Sequence, residues 1–139
     1  MVAIAEPRSQ TRALFADRFG VDSSLVFETW QQFHKASAET IQTVGKRLAD
    51  AVIVALLDRM HAEVVVAFAA QGYDILCETP MAESIENCLQ MEDAVKKAGI
   101  IFGLGLGVLP SCPHMPLSLL NVVPNYLVKS CGIRSISLQ

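Results

Sequence analysis

Glu6 and Arg8 carry opposite charges two residues apart, directly after the apolar run of residues 2–5. A carboxylate at the end of a buried strand can accept hydrogen bonds from both vicinal hydroxyl groups of a ribose, and its charge repels a 2′-phosphate on that ring. Arg8 lies close enough in sequence to receive such a phosphate instead. The alternative for Glu6 is a solvated acid at a strand end. The pair therefore predicts a contact with a ribose or with its phosphate.

A second group of polar residues follows the apolar run 51–57. Asp58 can cap the start of a helix, and His61 can exchange a proton near neutral pH. The alternatives are a purely structural cap for Asp58 and an ordinary first-turn position for His61. If the apolar runs are strands of one parallel sheet, we expect both residues to lie at the same edge as Glu6.

Glu78, Thr79 and Pro80 follow the third apolar stretch in the same way. They too are predicted at the carboxyl end of a strand, where doubly wound sheets bind ligands. The alternative is a simple turn in which Pro80 begins a new segment.

These residues need elements that bring several strand ends to one edge. Strands are predicted at 2–5, 51–57, 73–77 and 100–102, and helices at 9–19, 60–71 and between Ser84 and Gly99. Residues 21–49 predict a short strand at 25–27 and a helix at 30–48, with a break near Ser37 or Gly45. Strand and helix alternate about every 25 residues, which is typical of right-handed βαβ units. The predicted fold class is α/β, with a doubly wound parallel sheet.

The amino-acid composition disfavours several classes of function. The chain has 139 residues, 52% of them apolar and 18% charged, which suffices for one globular core. Its 11 Lys and Arg are scattered and its net charge is −3, so no nucleic acid is expected as a partner. The four cysteines form no C-x-x-C pair, so no metal site and no disulfide are expected. No apolar run reaches the roughly 18 residues that span a membrane, and we expect a cytoplasmic protein without a membrane partner.

Three segments together resemble one enzyme family. They are Ala-Asp-Ala-Val-Ile-Val-Ala at 49–55, Asp-Arg-Met-His-Ala-Glu at 58–63 and Gly-Tyr-Asp-Ile-Leu-Cys-Glu-Thr-Pro-Met-Ala at 72–82. In this order they resemble the core of the Gfo/Idh/MocA oxidoreductases, over about residues 2–105. The resemblance implies a Rossmann-like domain that binds NAD or NADP, and a second domain that holds a small-molecule substrate, sugar-like or a polyol. Hydride passes between that substrate and the nicotinamide.

The resemblance also implies roles for particular residues. Glu6 matches the acid that binds the adenosine ribose, and Leu56 and Leu57 match the loop beside the nicotinamide ribose. His61 matches the histidine of the turn after that strand. The family's Glu-Lys-Pro motif falls on Glu78 to Pro80, where Thr79 replaces the lysine and removes its positive charge. The predicted cofactor-binding set is Glu6, Arg8, Leu56, Leu57, Asp58, His61, Glu78, Thr79 and Pro80, and no catalytic residue is assigned.

Two features of the family have no counterpart here. Its first strand and the G-x-G-x-x-G loop that binds the pyrophosphate would precede Val2, and the glycines at 103–107 are followed by Pro110 rather than by a helix. Residues 106–139, with four prolines, match no family pattern and predict an irregular tail that adds nothing to the ligand edge. We therefore expect a partial domain at 1–105 and a divergent tail at 106–139.

These departures predict a damaged sheet and weak activity. The missing strand would be central in the order 3-2-1-4-5-6, so its loss leaves two interior edges that pair directly or force the sheet open. We therefore expect the chain to bind dinucleotide weakly and to turn over no substrate. The alternative to a working oxidoreductase domain is an inactive truncated fragment, or an interaction partner of a full-length relative. Homo-oligomer formation is left open.

Overall fold

The structure, a computed structural model, describes residues 1–105 and 135–138. The strands are β1 (Ile4–Ala5), β2 (Val26–Phe27), β3 (Ala51–Val54), β4 (Asp74–Glu78), β5 (Phe102–Gly105) and β6 (Ser135–Leu138). The helices are α1 (Ser9–Phe19), α2 (Trp30–Val44), α3 (Asp58–Ala70) and α4 (Ile85–Ala98), and a 3₁₀ turn spans Ser23–Leu25. No helix in this described part is long and apolar enough to cross a membrane.

The six strands form one parallel sheet in the order β2-β1-β6-β3-β4-β5. The chain moves from β1 to β2 in one direction and from β2 through β3 and β4 to β5 in the other. Since such crossovers are almost always right-handed, their opposite directions put α1 on one face of the sheet and α2, α3 and α4 on the other. On that second face α3 contacts both α2 and α4. The prediction of a doubly wound α/β sheet is confirmed, and the carboxyl ends of β1, β3 and β4 share one edge.

The central strand of this sheet is the last one in the sequence. β6 is hydrogen-bonded to β1, where Ser137 faces Ile4, and to β3, where the same residue faces Ile53. It occupies the place that the first strand holds in the order 3-2-1-4-5-6. The expectation that the two interior edges would pair directly or open the sheet is therefore wrong. The expectation of an irregular tail is wrong for residues 135–138, and 106–134 lie outside the described residues.

Local signals account for most helix boundaries. The Thr29 side chain accepts from the Gln32 amide at 3.3 Å, and the Gln32 side chain accepts in return from the Thr29 amide, a capping box at the start of α2. Ser84 caps α4 through its side chain alone, since its Oγ accepts from the Asn87 amide at 3.2 Å. α2 ends at Gly45, whose φ of 70° suits glycine. Of the two predicted break points, Gly45 is confirmed, whereas Ser37 lies inside the continuous helix.

The core lies between the sheet and the helices α2 and α3. Phe68 stacks on Phe33 with ring centroids 5.2 Å apart and meets Tyr73 edge-on at 5.7 Å. The Tyr73 hydroxyl is 2.6 Å from Ser37 Oγ and accepts from the Leu48 amide at 3.2 Å. These contacts hold the start of α2 against α3, and thereby set the distance between the loops that begin the two helices.

Candidate functional site

A cavity of about 700 Å³ opens at the carboxyl edge of the sheet, close to the point where the strand order reverses. Its size lies within the range of small-molecule sites, and open α/β sheets bind their ligands at this position. Its lining comes from the loops after three strands. The residues are Glu6, Pro7 and Arg8 after β1, Glu28, Thr29, Trp30 and Gln31 after β2, and Ala55, Leu56, Leu57 and Met60 after β3.

Glu6 is fully buried in the wall of this cavity and is held by Arg8. Its Oε1 accepts from the Arg8 amide and from Arg8 Nε, each at 2.8 Å, and its Oε2 accepts from Arg8 Nη2 at 2.9 Å. The side-chain hydrogen bond from Arg8 lowers the pKa of Glu6, although burial acts in the opposite direction. The same bond raises the pKa of Arg8. Glu6 is thus an ionised acceptor, and Oε2 has bonding capacity left for a second donor.

Arg8 differs from Glu6 in its exposure. Its side chain is 70% exposed, so the guanidinium stands at the solvent side of the pair. Water screens the exposed guanidinium, so its attraction to the buried carboxylate is weaker than in a fully buried pair. Because Glu6 is fully buried, Arg8 can turn from it towards a phosphate only when ligand hydroxyls take over its hydrogen bonds to the carboxylate.

Trp30 begins α2 and lines the cavity together with the loop after β3. Its ring packs on Phe68 at 6.5 Å and on His34 at 6.3 Å between centroids. The indole Nε1 is buried and has no acceptor in the part of the chain that the structure describes. A buried donor without a partner costs about 1–3 kcal/mol. Sequence reasoning missed this residue, although the Thr29–Gln32 capping box marks a helix start at the carboxyl end of the weak strand.

The β3–α3 loop supplies the apolar wall. Leu56 is half-buried, whereas Leu57 is 56% exposed and caps α3 through its backbone alone. Asp58 was predicted to cap this helix, and that prediction is wrong: it is the first helical residue, with no side-chain cap bond at that end. Its charge still complements the positive end of the helix dipole.

His61 joins two loops at the edge of the sheet. It is fully buried, its Nε2 lies 3.0 Å from the Leu56 carbonyl oxygen, and its Nδ1 lies 2.9 Å from that of Pro80. A neutral imidazole can donate to only one of these oxygens, whereas the cation can donate to both. In either form the ring lies between the β3–α3 loop and the segment after β4.

Glu78, Thr79 and Pro80 lie at the end of β4, outside the lining of the cavity. Glu78 is half-buried, the other two are exposed, and the peptide bond between Thr79 and Pro80 is cis. Of the nine predicted binding residues, the cavity brings together Glu6, Arg8, Leu56 and Leu57. The other five lie outside this lining, and His61 links the two groups. The cofactor-binding role of all nine residues stays a prediction. Within the described residues no group of three or more His, Cys, Asp or Glu side chains could hold a metal ion.

Residues 1–106 match the Gfo/Idh/MocA oxidoreductase family, described as having an NAD-binding Rossmann fold. The chain belongs to this family. The alternative of an inactive fragment gains no support from this match.

Individual Gfo/Idh/MocA proteins show the same relationship. The chain is 40% identical over 62 residues to 2,7-anhydro-N-acetylneuraminate hydratase of Escherichia coli K12, covering 45% of the chain and 17% of that enzyme. It is 32% identical over 69 residues to 1,5-anhydro-D-fructose reductase of Ensifer adhaerens, covering 50% and 21%. A solved levoglucosan dehydrogenase in complex with NADH and levoglucosan superposes with a TM-score of 0.55 at 27% identity, covering 73% of the chain and 25% of that structure. The chain thus spans about a sixth to a quarter of each of these proteins.

The residues present fit part of the NAD that this family binds. The cavity, the ionised Glu6 and the orphaned indole N–H suit the hydroxyl-bearing adenosine end of a dinucleotide. The sequence contains no G-x-G-x-x-G turn, so the usual backbone cradle for the pyrophosphate has no counterpart among these residues.

Proposed function

We propose that this chain is part of the nucleotide-binding domain of an oxidoreductase that transfers hydride between NAD and a sugar-like or polyol substrate. The observation that carries the proposal is the cavity at the strand-order reversal, with an ionised acid at the end of β1. Two relatives, 1,5-anhydro-D-fructose reductase and the levoglucosan dehydrogenase that holds NADH and levoglucosan, support the substrate class.

In this proposal each loop binds one part of the cofactor. Glu6 accepts from the adenosine ribose once Arg8 has turned away, and Leu56 and Leu57 flank the nicotinamide ribose. His61 keeps the Leu56 loop and the Pro80 segment together, and Asp58 and Glu78 complete the edge. The bound dinucleotide supplies or accepts the hydride; the chain's residues orient it and exclude water from its apolar side.

Cofactor choice depends on the Glu6–Arg8 pair. The Glu6 charge repels a 2′-phosphate and favours NAD, whereas the exposed Arg8 can pair with that phosphate and permit NADP. We propose a preference for NAD, because the carboxylate is buried in the cavity wall and Arg8 is not.

Turnover is not expected of the 139 residues alone. Thr79 stands where the family has lysine, and it carries no charge that could assist proton transfer. A substrate-binding region, cytoplasmic location and assembly into a homo-oligomer are proposed for the whole protein by likeness to the family.

Titration of the purified chain with NADH, followed by the fluorescence of the reduced nicotinamide, tests the proposal. We expect saturable but weak binding, with a dissociation constant between about 0.1 mM and 1 mM, because the pyrophosphate lacks its glycine turn. Glu6→Ala should weaken binding of NADH more than that of NADPH, and Glu86→Ala on the exposed part of α4 should change neither. Absence of saturable binding up to several millimolar NADH would reject the proposed function.

A further inference from the structure

Trp30 combines two properties that packing alone does not explain. The side chain is only 8% exposed and lines the cavity that also contains Glu6. Its one polar atom, Nε1, is buried with no acceptor among the described residues. Buried polar atoms in native proteins nearly always have a partner, so an orphaned donor in a cavity wall points to an acceptor supplied from outside the chain.

The surroundings of the ring hold it in place without using the N–H group. The capping box of Thr29 and Gln32 fixes the start of α2, and Phe68 and His34 contact the ring. The only other orphaned buried atom in the described residues, Gln71 Oε1, is at the opposite end of α3 from the cavity. The ring is therefore held in one position while its N–H group has no acceptor among the described residues.

Charges in the cavity select the kind of acceptor. Glu6 and Glu28 are both in its lining, and Arg8 is the only cation among those lining residues. Two carboxylates against one guanidinium disfavour a phosphate oxygen and favour a neutral hydroxyl. Trp30 follows β2, which pairs with β1, the strand that ends at Glu6, and both residues line the cavity.

We propose that Trp30 is a ligand-binding residue whose Nε1–H donates a hydrogen bond to a ribose hydroxyl of the adenosine half of the dinucleotide. The inference rests on the proposed function, because it takes the dinucleotide as the occupant of the cavity. Trp30 and Glu6 then recognise the same ribose from two loops, one as donor and the other as acceptor.

The chain has one tryptophan, so its ¹⁵N-labelled form gives one indole N–H resonance. Adenosine and NADH should each move this resonance downfield, whereas 2′,3′-dideoxyadenosine and nicotinamide mononucleotide should leave it in place. If nicotinamide mononucleotide moved it and adenosine did not, the assignment to the adenosine half would be wrong. If dideoxyadenosine moved it as adenosine does, the ribose hydroxyl would be excluded as the acceptor.

Affinity gives an independent readout. Trp30→Phe keeps an aromatic ring but removes the donor, and it should weaken NADH binding roughly tenfold. Phe19→Leu, which removes an aromatic ring at the exposed end of α1, should leave the affinity for NADH unchanged. Saturable NADH binding with an unmoved indole resonance would overturn the role of Trp30 and leave the proposed function intact. Failure of NADH to bind the unmodified chain would overturn both.

Discussion

The two sides of the central strand β6 are built very differently. On one side, the β1 half consists of β1, β2 and α1; on the other, the β3 half consists of β3, β4, β5, α3 and α4. The strands of the β1 half have two residues each, and α1 buries none of its 11 residues. The strands of the β3 half have four or five residues, and α3 buries six of its 13.

This difference shows that the two halves are stabilised by different means. The β3 half has long ladders and a packed helix face, which bury enough apolar surface to hold it together. The β1 half depends on its neighbours: β6 extends its ladder, Arg8 holds its terminal acid, and the aromatic residues of α2 cover its core side. The residues with the clearest ligand chemistry, Glu6 and Arg8, lie in this less packed half.

The largest expected effect tests the packing of the β3 half. Phe68→Ala removes a fully buried ring that contacts Phe33 and Tyr73, and it should lower the free energy of unfolding by about 3–5 kcal/mol. Leu14→Ala on α1, where the side chain is 63% exposed, should change it by less than about 0.5 kcal/mol. Urea unfolding followed by circular dichroism measures both, and equal losses would show that the two halves are packed alike.

The second prediction concerns the strand between the halves. Ser137→Pro removes a ladder hydrogen bond from a central strand and should lower the free energy of unfolding by about 3 kcal/mol or more. Ser9→Pro is the matched control, because Ser9 is the first residue of α1 and proline is tolerated there. If both variants unfolded at the urea concentration of the parent chain, β6 would not be part of the sheet in solution.

The third prediction concerns the ion pair of the β1 half. The folded-state pKa of Glu6 lies below its ordinary value of 4.5, so folding favours the carboxylate. Its stabilising contribution is present above pH 4.5 and is lost as the pH falls through the folded-state pKa. Glu6→Gln should therefore lower the free energy of unfolding by about 1 kcal/mol at pH 7, where exposure of Arg8 limits the effect, and by less at pH 3. A difference independent of pH would show that the charge of Glu6 adds nothing.

The smallest expected effect concerns the reactivity of a buried cysteine. Burial raises the pKa of Cys77 to about 12, with Glu78 adding to the shift, whereas Cys88 on α4 is half-buried. Thiolates are the reactive form, so iodoacetamide at pH 8 should leave Cys77 unmodified in the folded chain. Peptide mass spectrometry reads the modification, and labelling of Cys77 at the rate of Cys88 would mean that β4 opens readily.

The elements of the β3 half and the ligand edge could be predicted from the sequence because their signals are local. Apolar runs, Ser84 and the glycines that end α2 and α4 each act within a few residues, and the alternation of strand and helix implies a parallel sheet with Glu6 and Glu78 at one edge. The contacts at this edge could not be predicted, since they depend on side-chain positions across loops. Arg8 is hydrogen-bonded to the carboxylate of Glu6, which was expected to face a ribose. Trp30 lines the cavity at the start of α2, after a strand of only two residues.

By itself, the sequence determined the α/β class, the family resemblance, and which strand ends carry polar residues. The tertiary structure alone decided how the sheet is completed: β6 lies between β1 and β3, which are separated from it by more than 80 positions along the chain. Four residues of alternating polarity after a proline-rich stretch carry no local signal for a central strand. These four residues form a central strand because β1 and β3 would otherwise each have an interior edge with unpaired amide and carbonyl groups. Pairing with β6 satisfies both edges.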